Sequence, residues 1–297
     1  MPNIKEILGQ IHSVTSTQQI TKAMKVVAAS KLNKIQSRLN HVRLYTANLF
    51  DMLNAAILGR HHDVAQNYFE NRQVKKILLV IMSSDRGLCG SFNSSVIKKT
   101  KIFLESLKTN STSIPQIDIL PIGRKAYSFF EKFIDKKNII KDYLSIFHKL
   151  DHEQTSKASS FIKNEFLKGY YDQVFLVYNH FKSVSVQDTV FEQFLPLVKP
   201  VHTTSKGLTS YVKCIYEPSP ESIMEKLLPS FIDMHFYKVA LESIASENSA
   251  RMVTMNKATD NATEMLNRLK LTYNRSRQAS ITQEISEIVS GAGTTGE

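Results

Sequence analysis

One short segment combines the residue types most suited to binding or chemistry. The segment SSDRGLCGSFN, residues 83–93, directly follows the apolar run ILLVIM, residues 77–82. A strand, a glycine-containing turn and a helix start form the layout in which helix amides favour an anion. The segment is nevertheless not G-x-G-x-x-G, and it lacks the G-K-S/T whose lysine and hydroxyl handle phosphate and magnesium. Three interpretations stay open: a nucleotide site, a tight turn in which glycine allows close backbone approach, and a docking loop for a partner.

Cysteine and histidine are the residue types most often reactive or metal-binding, and the chain has two cysteines and nine histidines. Cys89 lies beside Arg86 and a predicted helix start, which suits an activated thiol, but a small buried hydrophobe is the alternative. Cys214 is far away in sequence and no C-x-x-C spacing occurs, so we expect no disulfide framework, no zinc site and a reduced cytoplasmic setting. The histidines form no metal-type pair beyond His61-His62, and no known catalytic spacing is present. We therefore predict no catalytic residue, no metal and no cofactor.

Composition limits the classes of partner. The chain of 297 residues is 42% hydrophobic, which is enough for one large or two ordinary domains. Its net charge of +11 indicates attraction to nucleic acid, anionic lipid or a carboxylate-rich protein. The N-terminus lacks the features of a signal peptide, and no apolar run approaches the roughly 18 residues that span a bilayer. We expect membrane contact only through a partner.

Both ends of the chain show the pattern of long helices. Gly9 is the only helix breaker between Asn3 and Leu58, and none occurs between Ser230 and Ser290. Small and apolar residues recur there every 3.5 residues on average, which is the spacing of a coiled-coil seam. The front helix would be roughly 80 Å long and the back helix roughly 100 Å. Helices of this length need a partner, because their apolar seams would otherwise be exposed to water. We therefore predict that the two ends pair as a long antiparallel coiled coil. The seams comprise Ala28, Leu32, Ile35, Leu39, Val42, Thr46, Leu49, Leu53 and Ala56 at the front, and Met252, Met255, Thr259, Ala262, Leu266, Leu269 and Tyr273 at the back.

The front seam changes character towards the N-terminus. Polar residues occupy three successive seam positions there, while apolar residues continue on a neighbouring face. We interpret this as a shift of register near residue 25, where the helix changes its packing partner. The polar positions are Gln18, Thr21 and Lys25, and the apolar ones are Ile20, Met24 and Val27.

The middle of the chain alternates strand and helix patterns. Continuous apolar runs predict strands at Val74–Met82, Gln116–Gly123 and Asp172–Phe181. Amphipathic helical segments separate them, and VSVQDTVFEQFLPL, residues 184–197, could add an edge strand. Strands that are apolar on both faces are typical of a mainly parallel, doubly wound sheet.

Three segments together resemble the gamma subunit of bacterial F-type ATP synthases. They are SVTSTQQITKAMKVVAASKL (residues 13–32), SDRGLCGSFN (residues 84–93) and the tail from Ser246 to Ala292. Their order and separations match that family, so the resemblance covers both helices and the domain between them. It implies an α/β fold in which a long antiparallel coiled coil of the N- and C-terminal helices carries a Rossmann-like doubly wound α/β domain. The implied divisions are a helix at 1–60, the α/β domain at 73–215 and a helix at 218–292.

The resemblance also implies a function. The protein would be a noncatalytic central-stalk rotor subunit, transmitting torque between a proton-driven c-ring and the catalytic beta subunits. Its partners would be three alpha and three beta subunits, epsilon and the c-ring, with no nucleic acid and with membrane contact only through the c-ring. It would lie at the cytoplasmic face of the bacterial inner membrane as a peripheral protein.

Particular residues acquire expected roles from the same resemblance. The DRGLCG loop would face the acidic lever segment of a beta subunit, where the guanidinium of Arg86 suits bidentate pairing with carboxylates. A basic stripe on the first helix would turn inside a ring of such levers, and a polar stretch near the tail would touch the catch loop of beta. The predicted contacts are Met24, Lys25, Asp85, Arg86, Cys89 and Arg251 for the lever, and Arg277, Gln278, Thr282 and Glu284 for the catch loop.

Two other classes of function are compatible with the composition and the strand–helix pattern. A nucleotide-using α/β enzyme with helical arms would bind nucleotide stoichiometrically as an isolated chain. A basic coiled-coil nucleic-acid binder would lose affinity steeply with salt. Neither accounts for three collinear motifs.

Overall fold

The computed structural model describes residues 4–58, 66–110, 115–147, 151–198, 217 and 219–294. His61-His62 and Cys214, which entered the sequence argument, lie outside these residues. The chain forms two compact units, one of Met1–Ala29 with Arg251–Glu297 and the other of Ser30–Ala250. We call them the terminal unit and the central unit. Two long helices, α1 (Ile4–Leu58) and α6 (Pro220–Thr294), contribute to both.

The central unit contains a four-stranded mixed sheet in the order β2-β1-β3-β4. Strand β1 pairs in parallel with β2 and β3, whereas β4 lies antiparallel on β3 and confirms the expected edge strand. The three other strands also lie where their apolar runs predicted them, within one or two residues. The elements are α2 (Gln66–Phe69), β1 (Lys76–Met82), α3 (Phe92–Asn110), β2 (Gln116–Ile122), α4 (Arg124–Phe130), a 3-10 helix (Lys136–Asn138), α5 (His152–Leu167), β3 (Gln173–Phe181) and β4 (Gln187–Leu195).

Both faces of the sheet are buried, as the continuous apolar strands indicated. Successive side chains of β1 point to opposite faces, and every one from Ile77 to Met82 is at most 1% exposed. Helices α3 and α4 pack on the face that contains Ile77, through residues such as Val96 and Phe130. Helix α5 and segments of α1 and α6 cover the opposite face. Helices on both faces make the sheet doubly wound, which confirms the predicted fold class.

The seam of α1 in the central unit follows the predicted heptads. Leu32 and Leu39 pack with Leu241 and Ala245 of α6 in one apolar cluster. Further along, Leu53 and its seam neighbours join the core beneath the sheet. The seam thus attaches the helix to the unit by apolar burial, worth about 1.5–3 kcal/mol for each large side chain.

In the terminal unit the two helices run antiparallel, as polar contacts across the seam show. Gln18 Nε2 donates to Thr263 Oγ1 at 2.7 Å. One turn later Thr259 Oγ1 donates to Thr21 Oγ1 at 2.9 Å. Residue numbers therefore rise along α1 as they fall along α6. The rear seam is inward as predicted, with Met255, Ala262 and Leu266 all buried.

The predicted shift of register near residue 25 is wrong. The heptad positions of α1 continue without a break from Ile4 through Ile7 and onward, and Lys25 Nζ donates to Asn256 Oδ1 of α6 at 2.6 Å. By contrast, Ile20 is 60% exposed and Val27 is 55% exposed. A polar side chain can occupy a seam when its hydrogen-bonding groups find partners across it, so polarity alone did not move the register.

No helix in the part of the chain that the structure describes has an apolar stretch long enough to cross a membrane.

Candidate partner-binding site

The loop between β1 and α3 is held from within by the side chain of Asn93. The amide N–H of Ser84 donates to Asn93 Oδ1 at 2.9 Å, and Asn93 Nδ2 lies 3.2 Å from Cys89 Sγ. Ser84 Oγ donates to the carbonyl oxygen of Arg86 at 2.7 Å. Asn93 belongs to the first turn of α3, so the helix start closes the loop back onto the strand end. These internal hydrogen bonds therefore define the shape of the loop.

A second set of contacts ties the same loop to the β2–α4 connection. Asp85 Oδ1 accepts from the amide of Arg124 at 3.1 Å, and Ser83 Oγ accepts from the amide of Ala126 at 2.9 Å. These bonds satisfy amides at the start of α4, which the helix itself leaves unpaired. Gly123 has φ +98°, and a Cβ there would lie 2.0 Å from the carbonyl oxygen of Ser83. Only glycine permits this approach.

Arg86 and Leu88 are the largest side chains that the loop presents to solvent. Arg86 is exposed, as its predicted role requires. Leu88 is 62% exposed and has φ 65°, a left-handed conformation that a leucine rarely adopts. Backbone strain of this kind persists only where the surrounding contacts impose it, and it often accompanies function. The sequence reasoning missed Leu88, because a leucine carries no signal for a positive φ.

Cys89 is buried beneath this loop. Its side chain is 2% exposed and packs with Phe92 and Ala250. This agrees with the small-hydrophobe alternative for this cysteine rather than with a reactive thiol. Of the loop residues predicted to contact a partner, Asp85 and Cys89 shape the loop, whereas Arg86 points outward.

The other predicted lever contacts lie in the terminal unit and are partly exposed. Met24 and Arg251 are half-buried. Lys25 is also half-buried, because its ammonium group is bound to Asn256. On the neighbouring face Val26, at 62% exposed, joins the exposed Ile20 and Val27. Two residues that the shifted register had placed inside, Ile20 and Val27, thus form an outward-facing apolar stripe with Val26, whereas the third, Met24, is half-buried.

The predicted catch-loop contacts all lie exposed on the last turns of α6. Arg277 and Glu284 are seven residues apart and share one face, while Gln278 and Thr282 lie on another. Successive residues of an α-helix are rotated by about 100° around its axis, and this rotation places an apolar stripe between the two polar rows. The stripe consists of Ile281 (47% exposed), Ile285 (55%) and Ile288 (70%). The sequence reasoning missed it, although its spacing of four and three was visible.

Comparisons with known proteins match nearly the whole length of the chain. A family model described as ATP synthase matches residues 3–294. The ATP synthase gamma chain of Amoebophilus asiaticus is 47% identical over 98% of both chains. That of Cytophaga hutchinsonii is 43% identical, also over 98% of both.

The chain belongs to the ATP synthase gamma chain family.

Solved structures agree with this membership. A chain of the central stalk and c-ring of Tetrahymena thermophila mitochondrial ATP synthase has a TM-score of 0.57 and 27% identity, covering 80% of this chain and 99% of that one. The rotor of Euglena gracilis mitochondrial ATP synthase gives a TM-score of 0.64 at 15% identity, covering 94% and 98%, and thus supports the fold. The resemblance to gamma subunits drawn from three motifs is confirmed.

In this gamma chain Asn179, near the carboxyl end of β3, is fully engaged in hydrogen bonds within the chain. Doubly wound folds bind nucleotides in the crevice at the carboxyl ends of their strands. Here Asn179 Nδ2 donates to the carbonyl oxygen of Phe92 at 2.9 Å, and Thr189 Oγ1 donates to Asn179 Oδ1 at 2.7 Å. Ser246 Oγ of α6 donates to the carbonyl oxygen of Asn179 at 2.9 Å. The arrangement favours the turn and docking interpretations of the loop over a nucleotide site.

Proposed function

We propose that the chain is the noncatalytic central-stalk rotor subunit of F1Fo ATP synthase. It transmits torque between the proton-driven c-ring and the catalytic beta subunits, and it regulates ATPase activity and proton flow. The observation that carries the proposal is the match to gamma chains over 98% of both sequences, which includes the helix pair and the sheet domain together. The partners are three alpha and three beta subunits, epsilon and the c-ring. The complex lies at the cytoplasmic face of the bacterial inner membrane.

The polar seam supports a role in transmitting torque. Apolar coiled-coil seams can slip by a heptad, whereas a polar pair specifies one register. Gln18, Thr21 and Lys25 all contact α6. Slipping is unfavourable, because a slip by one heptad would leave these polar groups at the seam without their partners. A helix pair with a single register can transmit rotation instead of absorbing it.

The lever contacts are assigned to two separate surfaces. In the central unit, the loop presents Arg86 and Leu88 to an acidic segment of beta, with Asp85 and Cys89 holding the loop in shape. In the terminal unit, Met24, Lys25 and Arg251 form the contact with beta. Each exposed ion pair contributes only about 0–1 kcal/mol, which suits a surface that must leave one beta subunit for the next.

The catch-loop contact is assigned to the last turns of α6. Arg277 and Glu284 form one polar row, Gln278 and Thr282 form the other, and the apolar stripe between them packs on the partner. Residues 1–60 and 218–292 are the two shaft helices in this proposal, and residues 73–215 are the α/β domain. ATP synthesis itself takes place on beta, so this chain supplies no catalytic residue.

Reconstitution tests the proposal. The purified chain is mixed with alpha and beta subunits of the same bacterium, and the rate of ATP hydrolysis is compared with that of alpha and beta alone. We expect stimulation by the wild-type chain. Arg86→Ala should weaken association by up to about fivefold, because an exposed ion pair is lost.

The matched control is Lys137→Ala, which removes an exposed cation from the 3-10 helix of the same unit. It should associate like the wild type. Absence of stimulation by the wild-type chain would contradict the rotor assignment, whereas equal behaviour of the two variants would contradict only the role of Arg86.

A further inference from the structure

The start of α4 places two further cations beside the loop between β1 and α3. The backbone amide of Arg124 donates to Asp85 Oδ1 at 3.1 Å, and that of Lys125 donates to the carbonyl oxygen of Ser84 at 3.1 Å. Both Arg124 and Lys125 are exposed. Their backbones are therefore fixed next to the loop, while their side chains remain accessible to a partner.

The side chain of Lys125 lies along the part of the loop that carries Arg86. Its Cε atom is 4.0 Å from the position that a Cβ would occupy at Gly87, the residue that follows Arg86. Arg86 and Lys125 therefore belong to one exposed surface, and Arg124 adjoins it through the bond to Asp85. We call Arg86, Arg124 and Lys125 the cation cluster.

The cation cluster has no acidic counterpart within the part of the chain that the structure describes. None of its three side chains forms an ion pair there, whereas Lys136, in the 3-10 helix after α4, lies 3.4 Å from Glu131. Asp85 adjoins the cluster, but one of its carboxylate oxygens already binds the amide of Arg124. Neighbouring charges of one sign create a potential that attracts the opposite sign, so this surface is suited to an anionic partner.

An exposed apolar side chain lies in the same loop and narrows the class of partner. Leu88 directly follows Gly87 and is 62% exposed in its left-handed conformation. A nucleic acid would neutralise the cations with phosphates but would leave Leu88 facing a charged backbone. An acidic protein segment can offer carboxylates to the cations and an apolar contact to Leu88 at the same time. The surface therefore favours a protein segment over a nucleic acid.

We propose that Arg124 and Lys125 bind carboxylates together with Arg86, so that three cations rather than one contact an acidic protein segment. The identity of this segment rests on the proposed rotor function, which assigns an acidic segment of beta to the loop. A guanidinium can bind one carboxylate through two hydrogen bonds, whereas the ammonium group of Lys125 acts as a point charge. Three weak contacts on one rigid surface select a segment with several carboxylates, although each contact can still be released.

A fluorescently labelled hexaglutamate peptide is the probe for the isolated full-length chain. Its binding is measured by fluorescence anisotropy at low salt for the wild type and for the double variant Arg124→Gln with Lys125→Gln. We expect the double variant to bind about tenfold more weakly, because two exposed ion pairs are lost. Higher salt should reduce the difference, since it screens these charges.

The matched control is the double variant Lys132→Gln with Lys137→Gln, which removes two exposed cations from the same unit. It should bind the peptide like the wild type, and circular dichroism verifies that each variant folds. Failure of the wild-type chain to bind the peptide at millimolar concentration overturns the proposal, as does equal binding by the two double variants. Hexathymidylate is the nucleic-acid comparison. The proposal is also wrong if Arg124→Gln with Lys125→Gln weakens binding of this oligonucleotide more than binding of the peptide.

Reconstitution with alpha and beta tests whether beta supplies the acidic segment. We expect the double variant at Arg124 and Lys125 to associate about tenfold more weakly than the double variant at Lys132 and Lys137. Equal association of the two, with stimulation of ATP hydrolysis by the wild type, would overturn the contact with beta and leave the rotor assignment intact. Absence of stimulation by the wild type would instead contradict the rotor assignment, and the peptide titration would still decide whether the cluster binds carboxylates.

Discussion

At the scale of single residues, the candidate loop depends on side chains that never reach its surface. Asn93 joins the strand end to the helix start, and Ser83 joins the loop to the next connection. Gly123 makes the second junction possible, since its backbone lies against Ser83 with φ +98°. Exposed Arg86 and Leu88 are therefore positioned by the buried residues around them.

Gly123→Ala should strongly destabilise the chain. The added Cβ would lie 2.0 Å from the carbonyl oxygen of Ser83, and alanine disfavours φ +98°. We expect the free energy of unfolding to fall by at least about 2 kcal/mol, measured by urea denaturation. Gly87→Ala is the control, because the nearest atom to its Cβ would be 4.0 Å away. Equal effects of the two substitutions would show that the close approach at Gly123 does not matter.

Glu192 should make stability depend on acid pH. Burial raises the pKa of its carboxyl group, but hydrogen bonding to His235, the charge of His235 and the hydroxyl of Tyr178 outweigh burial and lower the pKa below its ordinary 4.5. A carboxyl whose pKa is lower in the folded chain stabilises the fold above the ordinary value, and this contribution is lost as the pH falls through the folded value. Glu192→Gln should therefore flatten the fall in unfolding free energy below about pH 4.5.

Denaturant titrations at a series of acid pH values measure the slope of the unfolding free energy against pH. Glu153→Gln is the matched control, since the Glu153 side chain is 74% exposed and bonds to the exposed Lys157. It should leave the slope unchanged. A Glu192→Gln slope equal to that of the wild type would mean that the network around Glu192 has no net influence on its titration.

At the scale of elements, α1 keeps one heptad register while the chemistry of its seam changes. In the central unit the seam is apolar, with Leu32 and Leu39 among its members. In the terminal unit Gln18, Thr21 and Lys25 occupy the same heptad positions and bond across to α6. Apolar burial provides affinity between helices, and the polar pairs add specificity of register.

The Lys25 and Asn256 pair should show measurable coupling. In a double-mutant cycle of Lys25→Met, Asn256→Leu and both together, each single variant leaves a half-buried polar group without its partner. The double variant replaces the pair by an apolar contact. We expect a coupling energy of about 1 kcal/mol from chemical denaturation of the full-length chain. The exposed Lys157 and Glu153 pair serves as the control, with at most about 0.5 kcal/mol; coupling no larger than this would contradict a specific seam contact.

At the scale of the whole molecule, we expect the distribution of charge to matter more for partner binding than the net charge. The chain has a net charge of +11. Some cations are engaged internally, since Arg43 bonds to Glu242 and Lys25 bonds to Asn256. Others remain exposed on α1, and they can attract an acidic partner over a distance.

Two triple variants distinguish the effect of where the cations lie from the effect of the net charge. Lys31→Gln, Lys34→Gln and Arg38→Gln neutralise three exposed cations on α1, whereas Lys98→Gln, Lys99→Gln and Lys101→Gln neutralise three on α3. Each triple lowers the net charge of +11 by three, so only the position differs. We expect the α1 triple to slow association with alpha and beta about tenfold at low salt, with a weaker dependence on ionic strength. Stopped-flow measurements giving the same rate for both triples would assign the effect to net charge alone.

The sequence by itself determined the two helices, the strands and the family. Helical and strand periodicities are local properties, so the heptads of α1 and the apolar runs of β1 to β3 could be recognised without knowing their neighbours. Only the tertiary structure decided that Gln18, Thr21 and Lys25 of α1 face α6, because their partners are more than 200 residues away in sequence. The tertiary structure likewise decided that Cys89 is buried and that Leu88 is exposed. Loop conformation depends on contacts with other elements, and not on the residues of the loop alone.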